Sequence, residues 1–348
     1  MNAVIDAVAV DRLAADVLVV LREHTANPHL SFAAPPRVLT GGFWAELLAF
    51  RVDDAPDGWP AELVVRVMPD PVVAAKETAV QGAVAAQGFP TPAVRLAGGP
   101  DAGLGRAFMV MDLADGAPLL AGLGGSTTVA ALPRLLRRLP DVLASTMAVL
   151  HRLDTAPVRA RLVAAGTPVV DIPGLLAGLA ESARACGRAD LVAVAQWLRA
   201  HPPAPEPDVI CHGDLHPFNV LVADDGRVTV LDWSAAVLAP AAYDVAFTSL
   251  LLAEPPITAA APVRAALRGV GALLAHRFRR RYERAAGPVS PQSLRWHTAL
   301  VCLRALVQVA SWSRAGALDE HRGHPWLLSG PAIAARLARI TATAVDAR

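Results

Sequence analysis

The stretch HGDLHPFN, residues 212–219, determines how the rest of this chain is interpreted. It follows the short apolar run DVIC and contains Pro217, so the sequence predicts a strand that enters a loop. A second strand-like run, RVTVLDW, comes at residues 227–233 after an Asp-Gly hairpin turn. The two runs are therefore expected to deliver Asn219 and Asp232 to the same loop region.

Three polar side chains in these runs have the chemistry that phosphoryl transfer requires. The reaction needs a group that orients a hydroxyl and accepts its proton, oxygen ligands for magnesium, and a cation on the phosphates. Asp214 and Asn219 are five positions apart, which is the aspartate-to-asparagine spacing of a kinase catalytic loop. Asp232 ends its strand-like run as a further carboxylate. Carboxylates together with an amide form a ligand set that suits hard divalent cations.

HGDLHPFN followed by VTVLDW resembles the catalytic loop and metal-binding motif of the aminoglycoside phosphotransferase family, which is related to choline kinases. The resemblance implies a bilobal protein-kinase-like fold, ATP or GTP as phosphate donor, Mg²⁺ as cofactor and a small-molecule hydroxyl acceptor. It implies that Asp214 is the catalytic base or hydroxyl-positioning group and that His212 holds the loop. Asn219 and Asp232 are then implied as magnesium ligands. Phe218 departs from the family, which often has glycine there.

The run LVVRVM, which precedes a predicted helix, supplies a candidate for the phosphate-binding cation. Protein kinases place a lysine on the third strand and pair it with a glutamate of the next helix. Here Arg66 and Glu77 occupy these positions. Arginine suits the role because its fork can hold two phosphate oxygens. Lys76, the only lysine of the chain, would face away from the strand if Glu77 faces it, so Arg66 is the predicted phosphate ligand.

Two further nucleotide contacts are expected from the resemblance. The run LTGGFWAEL carries adjacent glycines, Gly41 and Gly42, ahead of the first long predicted strand. Adjacent glycines before a strand are commonly just a turn, but the family keeps its nucleotide-covering loop at this position. Met111 and Asp112, at the end of an apolar run, are implied as the hinge whose backbone meets adenine.

The distribution of periodic patterns predicts an α+β fold in two lobes. Between about residues 37 and 112, short β-rich runs alternate with turn signals, whereas helical Ala/Leu/Arg periodicity dominates after Gly116. Residues 1–115 are expected to form a small nucleotide-binding lobe with an N-terminal helix, an antiparallel sheet and one key helix. Residues 116–348 are expected to form a larger, mainly helical lobe for catalysis and acceptor binding. Predicted strands cover residues 46–52, 62–68, 106–116 and 227–233, and predicted helices cover residues 76–87, 262–284 and 292–315.

The composition argues against several classes of protein. Hydrophobic residues make up 54% and charged residues 18% of the 348 residues, which is enough for a large core. Mean hydropathy is +0.39, yet no stretch of roughly 18 apolar residues without charge predicts a membrane span. A net charge of +1 indicates neither nucleic acid nor membrane as a partner. Three cysteines without a CxxC pair and an N-terminus without a signal peptide predict a cytoplasmic protein, whose oligomeric state stays open.

Two other functions remain open from the residues alone. His212, Asp214 and His216 alternate as in some metallohydrolases, so an HxDxH-type metal site is one alternative. Pro217 favours a loop over a strand here, which weakens that pattern. A catalytically weak, nucleotide-binding kinase homologue is the second alternative, although every metal and base position is filled. In a purely structural interpretation, Asp214 and Asp232 would only cap turns.

Two residues outside these motifs have alternative interpretations. Asp244 resembles the aspartate that braces the catalytic loop in this family, and a simple helix-start carboxylate is the other interpretation. His151, in the run MAVLHRLD, is expected to lie in the core. The arginine-rich run HRFRRRYER at residues 276–284 is expected to be a solvated helix face, because no nucleic-acid-binding motif accompanies it.

The C-terminal part of the chain favours an acceptor that is neutral or anionic. Residues 234–348 contain fourteen arginines, no lysine and six carboxylates, a net charge of +8. A polycationic aminoglycoside would be better served by an acidic pocket. A macrolide-like or nucleoside antibiotic, or an acyl-CoA-type hydroxy metabolite, suits this charge better. Trp296, Trp312 and Trp326 are candidates either for apolar walls of the acceptor site or for the core.

Overall fold

The computed structural model describes residues 7–39, 45–120, 127–255 and 261–347, so Gly41 and Gly42 lie outside the described residues. The helices are α1 (Ala7–Thr25), α2 (Pro71–Ala86), α3 (Thr127–Leu150), α4 (Ala156–Ala164), α5 (Ile172–Ala185), α6 (Ala189–Ala200), α7 (Ala242–Ala253), α8 (Ala261–Ala286), α9 (Pro291–Arg314) and α10 (Pro325–Thr341). The strands are β1 (Ser31–Phe32), β2 (Arg37–Val38), β3 (Glu46–Phe50), β4 (Val52–Asp53), β5 (Leu63–Met68), β6 (Val94–Gly98), β7 (Ala107–Asp112), β8 (Ala117–Pro118), β9 (Asp208–Cys211), β10 (Val220–Val222), β11 (Val228–Val230) and β12 (Val237–Pro240).

The chain forms two compact units, and both are discontinuous in sequence. The first unit comprises residues 1–117, 156–169 and 221–235, and the second comprises residues 118–155, 170–220 and 236–348. The short helix α4 and strand β11 therefore belong to the first unit although they come after the predicted lobe boundary. That boundary, between residues 115 and 116, concerns functional domains and stays a prediction.

The first unit is built on a five-stranded antiparallel sheet with the order β2-β3-β5-β7-β6. Leu47 faces Arg66 across β3 and β5, and Arg66 faces Met109 across β5 and β7. Three predicted strands of this lobe are thus confirmed as β3, β5 and β7, with ends that differ by a few residues. No sequence pattern predicts β6, whose register with β7 is interrupted between Val94 and Leu96, so the alternation expected of a strand is broken there.

Strand β5 divides its side chains between two cores because successive residues of a strand point to opposite faces. Val65 is buried in the cluster that includes Leu21 of α1. Val64 is buried in the opposite cluster, together with Ala74 of α2. Arg66 follows Val64 by two positions and therefore lies on the face that α2 covers. This alternation is what brings the arginine to the helix.

Helix α2 begins at Pro71, five residues before the predicted start at Lys76. Asp70 caps the helix, since its Oδ1 accepts hydrogen bonds from the backbone N–H of Val72 at 2.9 Å and of Val73 at 3.1 Å. Proline is well suited to the first helical position because an N–H there has no partner within the helix. Two β-branched residues lower the helical propensity of the first turn, and the cap outweighs them. Glu77 consequently lies in the second turn, on the buried side.

The second unit is mainly helical and is organised around α9. Buried side chains of α5, α6, α7 and α10 form one continuous hydrophobic cluster with those of α9. Trp296, Trp312 and Trp326 are all members of this cluster and are no more than 7% exposed. The structure therefore assigns the three tryptophans to the core, and the alternative of exposed apolar walls is wrong for them.

An antiparallel pair in the second unit, β9 with β12, leads into residues 212–219. Cys211, the last residue of β9, pairs with Val237 of β12. Gly213 then adopts a φ of +74°, which a glycine adopts at little cost and other residues rarely do. Helix α7 begins two residues after β12 and carries Asp244 in its first turn. The loop and the carboxylate are thus placed by neighbouring strands.

The predicted α+β class is confirmed, with a small antiparallel-sheet unit and a larger, mainly helical one. The C-terminal helices predicted over residues 262–284 and 292–315 correspond to α8 and α9 with ends shifted by one or two residues. In the part of the chain that the structure describes, no helix is both long enough and apolar enough to cross a membrane.

Candidate active site

A charged cluster in the first unit joins Arg66 of β5, Glu77 of α2 and Asp232, which follows β11. The Nη2 atom of Arg66 lies 3.4 Å from Glu77 Oε2 and 3.4 Å from Asp232 Oδ2. The side chain of Glu77 is 1% exposed, whereas that of Asp232 is 30% exposed. The pairing of Arg66 with Glu77 expected from the sequence is present, and the guanidinium group is shared with a second carboxylate.

The protonation of this cluster is governed by burial. Burial raises the pKa of Glu77 to about 7, and the charge of Arg66 acts in the opposite direction. Burial works to lower the pKa of Arg66, but the carboxylates of Glu77 and Asp232 outweigh it and leave that pKa above its ordinary value. The arginine is therefore charged at every physiological pH, and Glu77 is the member of the cluster that titrates near neutrality.

We expect the stability difference between the wild type and Glu77→Gln to depend on pH. The folded-state pKa of Glu77 is about 7, above the ordinary value of 4.5, so the folded state binds this proton more tightly than the unfolded state does. The contribution of Glu77 to the free energy of unfolding is fully present at low pH and is lost progressively as the pH rises from about 4.5 to about 7. Above that range, this contribution no longer changes with pH. A shift of this size corresponds to roughly 3 kcal/mol of unfolding free energy.

The measurement is the midpoint of thermal unfolding of both proteins between pH 5 and pH 8, without nucleotide or metal. The wild type should lose stability relative to Glu77→Gln as the pH rises, because the glutamine cannot ionise. Glu62→Gln is the matched control, because Glu62 pairs with Arg51 at the surface and is no part of the buried cluster. A difference between wild type and Glu77→Gln that is constant over the range would contradict the assignment.

Asp232 is held in an unusual backbone conformation by a buried aromatic neighbour. Its φ is +66°, in the left-handed region that costs a non-glycine residue of order 1 kcal/mol or more. Trp233 is fully buried, and its Nε1–H donates to Thr91 Oγ1 at 2.9 Å. Thr91 in turn donates to the backbone oxygen of Val230 at 2.8 Å. The tryptophan of the LDW motif therefore anchors the segment, and Asp232 projects from the turn that it creates.

One oxygen of Asp232 is already engaged within the turn. Oδ1 accepts hydrogen bonds from Ser234 Oγ at 2.6 Å and from the N–H of Ser234 at 3.3 Å, while Oδ2 is the oxygen that approaches Arg66. These contacts fix the orientation of the carboxylate.

In the second unit, the backbone of the loop at residues 212–219 is held by the carboxylate of Asp244. The N–H of His212 donates to Asp244 Oδ2 at 2.7 Å, and the N–H of Gly213 donates to Oδ1 at 2.7 Å. Asp244 is fully buried. Burial works to raise the pKa of Asp244, but His151 and the loop N–H groups hold it below its ordinary value. Of the two interpretations of this residue, the structure supports the loop brace.

The same carboxylate is backed by two side chains from other helices. His151 Nε2 of α3 lies 3.3 Å from Asp244 Oδ2, and His151 Nδ1 lies 2.8 Å from the hydroxyl of Tyr282 of α8. His151 is 8% exposed, in agreement with the expected core position. The sequence shows no signal for Tyr282, which sits in an arginine-rich run that looks like a solvated helix face.

Asp214 and Asn219 are neighbours in the folded loop. Asn219 Nδ2 donates to the backbone oxygen of Asp214 at 3.0 Å and lies 3.4 Å from its Oδ2. His216 Nε2 lies 3.6 Å from Asp214 Oδ2. Because the amide nitrogen of Asn219 is directed at Asp214, its amide oxygen is the atom that remains for a cation. The structure thus brings His212, Asp214 and Asn219 together within one unit.

The geometry does not support an HxDxH metal site. His212 Nδ1 accepts a hydrogen bond from the N–H of Asp214 at 3.3 Å, so it is not directed at a shared ion. Within the described ranges, the one group of three potential metal ligands whose ligand atoms lie within 4.8 Å of one another is His151, Cys211 and Asp244. Burial raises the pKa of the Cys211 thiol well above its ordinary value, which keeps it protonated and makes it a poor ligand.

The predicted hinge residues lie at the end of β7, in the first unit. Asp112 is held by Arg95, whose Nε and Nη2 donate to its two oxygens at 2.6 Å and 2.9 Å. The backbone N–H of Asp112 donates to the backbone oxygen of Ala93 at 3.1 Å, and Met111 is paired with Val64 of β5. These residues are well ordered by the sheet, and their contact with adenine stays a prediction.

The family is decided by comparison with known proteins. A family model described as the phosphotransferase enzyme family matches residues 40–297, which contain Arg66, Glu77, the loop at 212–219 and Asp232. The chain belongs to this family. The sequence matches no curated protein significantly.

Solved structures show the same fold as this phosphotransferase. A protein from Ralstonia eutropha assigned to the aminoglycoside phosphotransferases is 17% identical over 94% of this chain and 95% of its own, with a TM-score of 0.62. Macrolide 2′-phosphotransferase type I is 20% identical over the full length of both chains, with a TM-score of 0.59. A choline/ethanolamine kinase family protein from Mesorhizobium loti is 17% identical, covers 95% and 94% of the two chains, and has a TM-score of 0.54. The expected protein-kinase-like fold is confirmed.

The donor sets of this phosphotransferase are compatible with a nucleotide and a hard cation. Asn219 in the second unit and Asp232 in the first each offer an amide or carboxylate oxygen, the kind of ligand that magnesium prefers. The guanidinium of Arg66 is partly buried, and its Nε makes no hydrogen bond to any described residue. Nε is itself buried, so what the group offers to an anion is its charge.

Proposed function

We propose that this phosphotransferase moves the γ-phosphoryl group of ATP, or of GTP, to a hydroxyl group of a small molecule, with Mg²⁺ as cofactor. The observation that carries the proposal is the loop at residues 212–219. There a fully buried carboxylate, Asp244, holds two consecutive backbone N–H groups, and Asp214 follows directly with Asn219 beside it. Because the backbone immediately before Asp214 is held in place, the Asp214 carboxylate is suited to orienting a hydroxyl group for attack.

Asp214 is proposed to orient the acceptor hydroxyl and to accept its proton. As the bond between the acceptor oxygen and the γ-phosphorus forms, the bond from that phosphorus to the nucleoside diphosphate breaks, and the hydroxyl proton passes to the Asp214 carboxylate. His212 is proposed to act through position alone. The ring nitrogen Nδ1 of His212 accepts from the N–H of Asp214. The backbone N–H of His212 donates to the carboxylate of Asp244.

Nucleotide binding is proposed for residues of the first unit. Arg66 would contact phosphate oxygens, with Glu77 as its buried partner, and Met111 and Asp112 would meet the adenine ring. Gly41 and Gly42 are proposed for the phosphate-covering loop and lie outside the described residues. Two solved structures of the same fold contain nucleotides: a thermostable aminoglycoside phosphotransferase APH(4)-Ia variant with ADP and hygromycin B, and APH(2″)-IIIa with GDP and kanamycin.

Magnesium binding is proposed for Asn219 and for Asp232, each on its own evidence. Asn219 has its amide oxygen available because its amide nitrogen is directed at Asp214. Asp232 projects from a turn that Trp233 anchors, and its side chain is partly exposed. A bound magnesium ion would neutralise charge on the phosphate oxygens.

The proposed acceptor is neutral or anionic. Among the groups that interact electrostatically with Asp214 are Arg304 of α9 and His324, which caps α10. Burial lowers the pKa of His324 to about 4, so this histidine is uncharged at neutral pH. Its Nδ1 accepts from the N–H of Trp326 at 3.2 Å. A fixed cation beside Asp214, with no charge on His324, favours neutral or anionic acceptors over polycations.

We expect ADP release from Mg·ATP to be faster with neutral or anionic hydroxyl compounds than with polycations. The panel is a macrolide, a nucleoside and a hydroxyacyl-CoA against kanamycin and hygromycin B, with product identity checked by mass. The rate of ADP release with the neutral or anionic compounds is expected to exceed the rate with the polycations by about tenfold, equivalent to roughly 1.4 kcal/mol in activation free energy. Faster phosphorylation of kanamycin or hygromycin B would overturn the acceptor class. Nucleotide binding without turnover on any compound would favour the catalytically weak homologue.

The proposed compartment is the cytoplasm, where ATP and magnesium are available. All three cysteines, Cys186, Cys211 and Cys302, are free thiols in the structure. Cys211 and Cys302 are fully buried, and burial raises the pKa of both thiols. Neither buried thiol is therefore a reactive group of the site.

A further inference from the structure

A partly buried arginine of the second unit contacts the catalytic loop, and no motif in the sequence indicates it. Arg304 lies in the middle of α9, and its Nη1 donates to the backbone oxygen of Gly213 at 2.6 Å and to the hydroxyl of Tyr243 at 3.0 Å. Its guanidinium carbon lies 5.4 Å from the centre of the Phe247 ring, within the range of a cation–π contact. Residues 213 and 304 are 91 positions apart.

The contact acts on the peptide group that immediately precedes Asp214. The carbonyl oxygen of Gly213 and the N–H of Asp214 are the two polar ends of one planar peptide unit. Arg304 holds the oxygen, and His212 Nδ1 accepts from the N–H at 3.3 Å. When both ends of a planar unit are held, its orientation is determined. The direction in which the Asp214 side chain leaves the backbone then depends on only a few torsions.

Asp244 cannot orient the peptide unit between residues 213 and 214, because its hydrogen bonds lie on the N-terminal side of the Gly213 Cα atom. It accepts the N–H groups of His212 and Gly213, which precede the Gly213 Cα atom. Glycine rotates freely about φ and ψ, and Gly213 has a φ of +74°, so holding its N–H leaves its carbonyl free to turn. Anchors beyond the Gly213 Cα atom are therefore needed to orient Asp214: His212 holds the N–H end of the following peptide unit, and Arg304 holds its oxygen.

The charge of Arg304 is maintained by its surroundings. Burial works to lower the pKa of Arg304, but Tyr243, Asp214 and Asp244 outweigh it and leave that pKa above its ordinary value. A charged donor makes a stronger hydrogen bond to a carbonyl than a neutral one does. The distance of 2.6 Å to the Gly213 oxygen agrees with such a bond.

We propose that Arg304 is a positioning residue: from α9 it orients the peptide unit between residues 213 and 214 and so directs the carboxylate of Asp214 at the acceptor hydroxyl. The inference rests on the proposed function, because Asp214 matters in this way only if it acts on an acceptor. It adds to that function a contact from a helix outside the catalytic motifs.

The test compares Arg304→Met and Arg304→Lys with a matched control, Arg336→Met. Methionine removes both hydrogen bonds and keeps a long apolar side chain, whereas lysine keeps the charge and one donor direction. Arg336 of α10 is also a partly buried arginine of the second unit, and it is paired with Glu254 at 3.0 Å. Thermal midpoints are measured first to establish that each variant is folded.

Two measurements are made on each protein. Hydrogen–deuterium exchange reports the protection of the amides of residues 213–219, and hydrolysis of Mg·ATP with water as acceptor reports turnover. For Arg304→Met we expect exchange in this segment to be about tenfold faster. Turnover should fall by about 10- to 100-fold while the affinity for Mg·ATP changes less than about twofold, because only the orientation of Asp214 is lost. Arg304→Lys should recover part of both properties, and Arg336→Met should resemble the wild type.

Unchanged exchange at residues 213–219 in folded Arg304→Met would overturn the inference. Equal losses of amide protection and turnover in Arg304→Met and Arg336→Met would also overturn it. If Arg304→Met does not fold, Arg304→Lys decides, since it must then differ from the wild type in loop exchange or turnover. If the wild type hydrolyses no ATP and phosphorylates no acceptor, the proposed function fails separately. The exchange measurement still decides in that case whether Arg304 orders the loop.

Discussion

Replacement of Asp214 by asparagine is expected to reduce turnover by about 10³-fold, within the range typical for loss of a positioned general base. Asparagine has nearly the same shape, but it cannot accept the hydroxyl proton. The backbone around residue 214 should be unchanged, because its hydrogen bonds to His212 and Asn219 involve main-chain atoms of residue 214. The affinity for Mg·ATP should therefore stay within about twofold of the wild type.

The measurement is steady-state turnover with any acceptor found in the panel, together with calorimetric titration of Mg·ATP. Asp225→Asn is the control, because Asp225 lies in an exposed turn with Arg227 as its partner. This control should retain full turnover. If Asp214→Asn retains turnover comparable with the control, the mechanistic role proposed for Asp214 is wrong.

Replacement of Asp232 by asparagine is expected to weaken magnesium-dependent nucleotide binding and to reduce turnover together. Loss of a charged oxygen ligand should raise the magnesium concentration needed for half-saturation by about 10- to 100-fold, at least as much as loss of an outer-shell partner does. The change also removes one of the two carboxylates that neutralise Arg66. Arg66 would then keep only Glu77 as a described anionic partner, and metal-free ATP should bind no worse than it does to the wild type.

Calorimetric titrations of Mg²⁺ and of ATP, separately and together, measure this effect without requiring an acceptor. Ser234→Ala serves as a graded control, because it removes the 2.6 Å hydrogen bond to Asp232 Oδ1 and leaves the carboxylate in place. We expect a smaller loss of magnesium affinity for this control than for Asp232→Asn. Equal magnesium dependence of the wild type and Asp232→Asn would exclude Asp232 as a ligand.

Local sequence patterns predicted a large part of the fold. The α+β class, strands β3, β5 and β7 and the helices α8 and α9 follow from periodicity, which depends on neighbouring residues only. The prediction was wrong about the start of α2 because the cap formed by Asp70 and Pro71 outweighs the low helical propensity of two valines. Strand β6 was missed because its irregular pairing with β7 interrupts the alternation.

The burial of the three tryptophans is a further property that sequence patterns could not predict. Trp296, Trp312 and Trp326 lie on helices whose sequence is compatible with either a ligand wall or a core. Only the packing of α9 against its neighbouring helices showed that they are buried. An aromatic residue on an amphipathic helix carries no information about which surface covers it.

The sequence by itself determined the chemical identity of the candidate site. The spacing of Asp214 and Asn219, the LDW motif and the order in which Arg66 and Glu77 precede them are properties of the chain alone. Short motifs are detectable because the residues that form a loop or a strand end are close in sequence.

Only the tertiary structure decided what holds these residues in place. Asp244 meets His151 across 93 positions, His151 meets Tyr282 across 131, and Arg304 meets Gly213 across 91. Burial, which raises the pKa of Glu77 to about 7, is likewise a property of the packed unit. Such contacts form between helices that approach each other only when the hydrophobic core is assembled, so a local pattern holds no record of them.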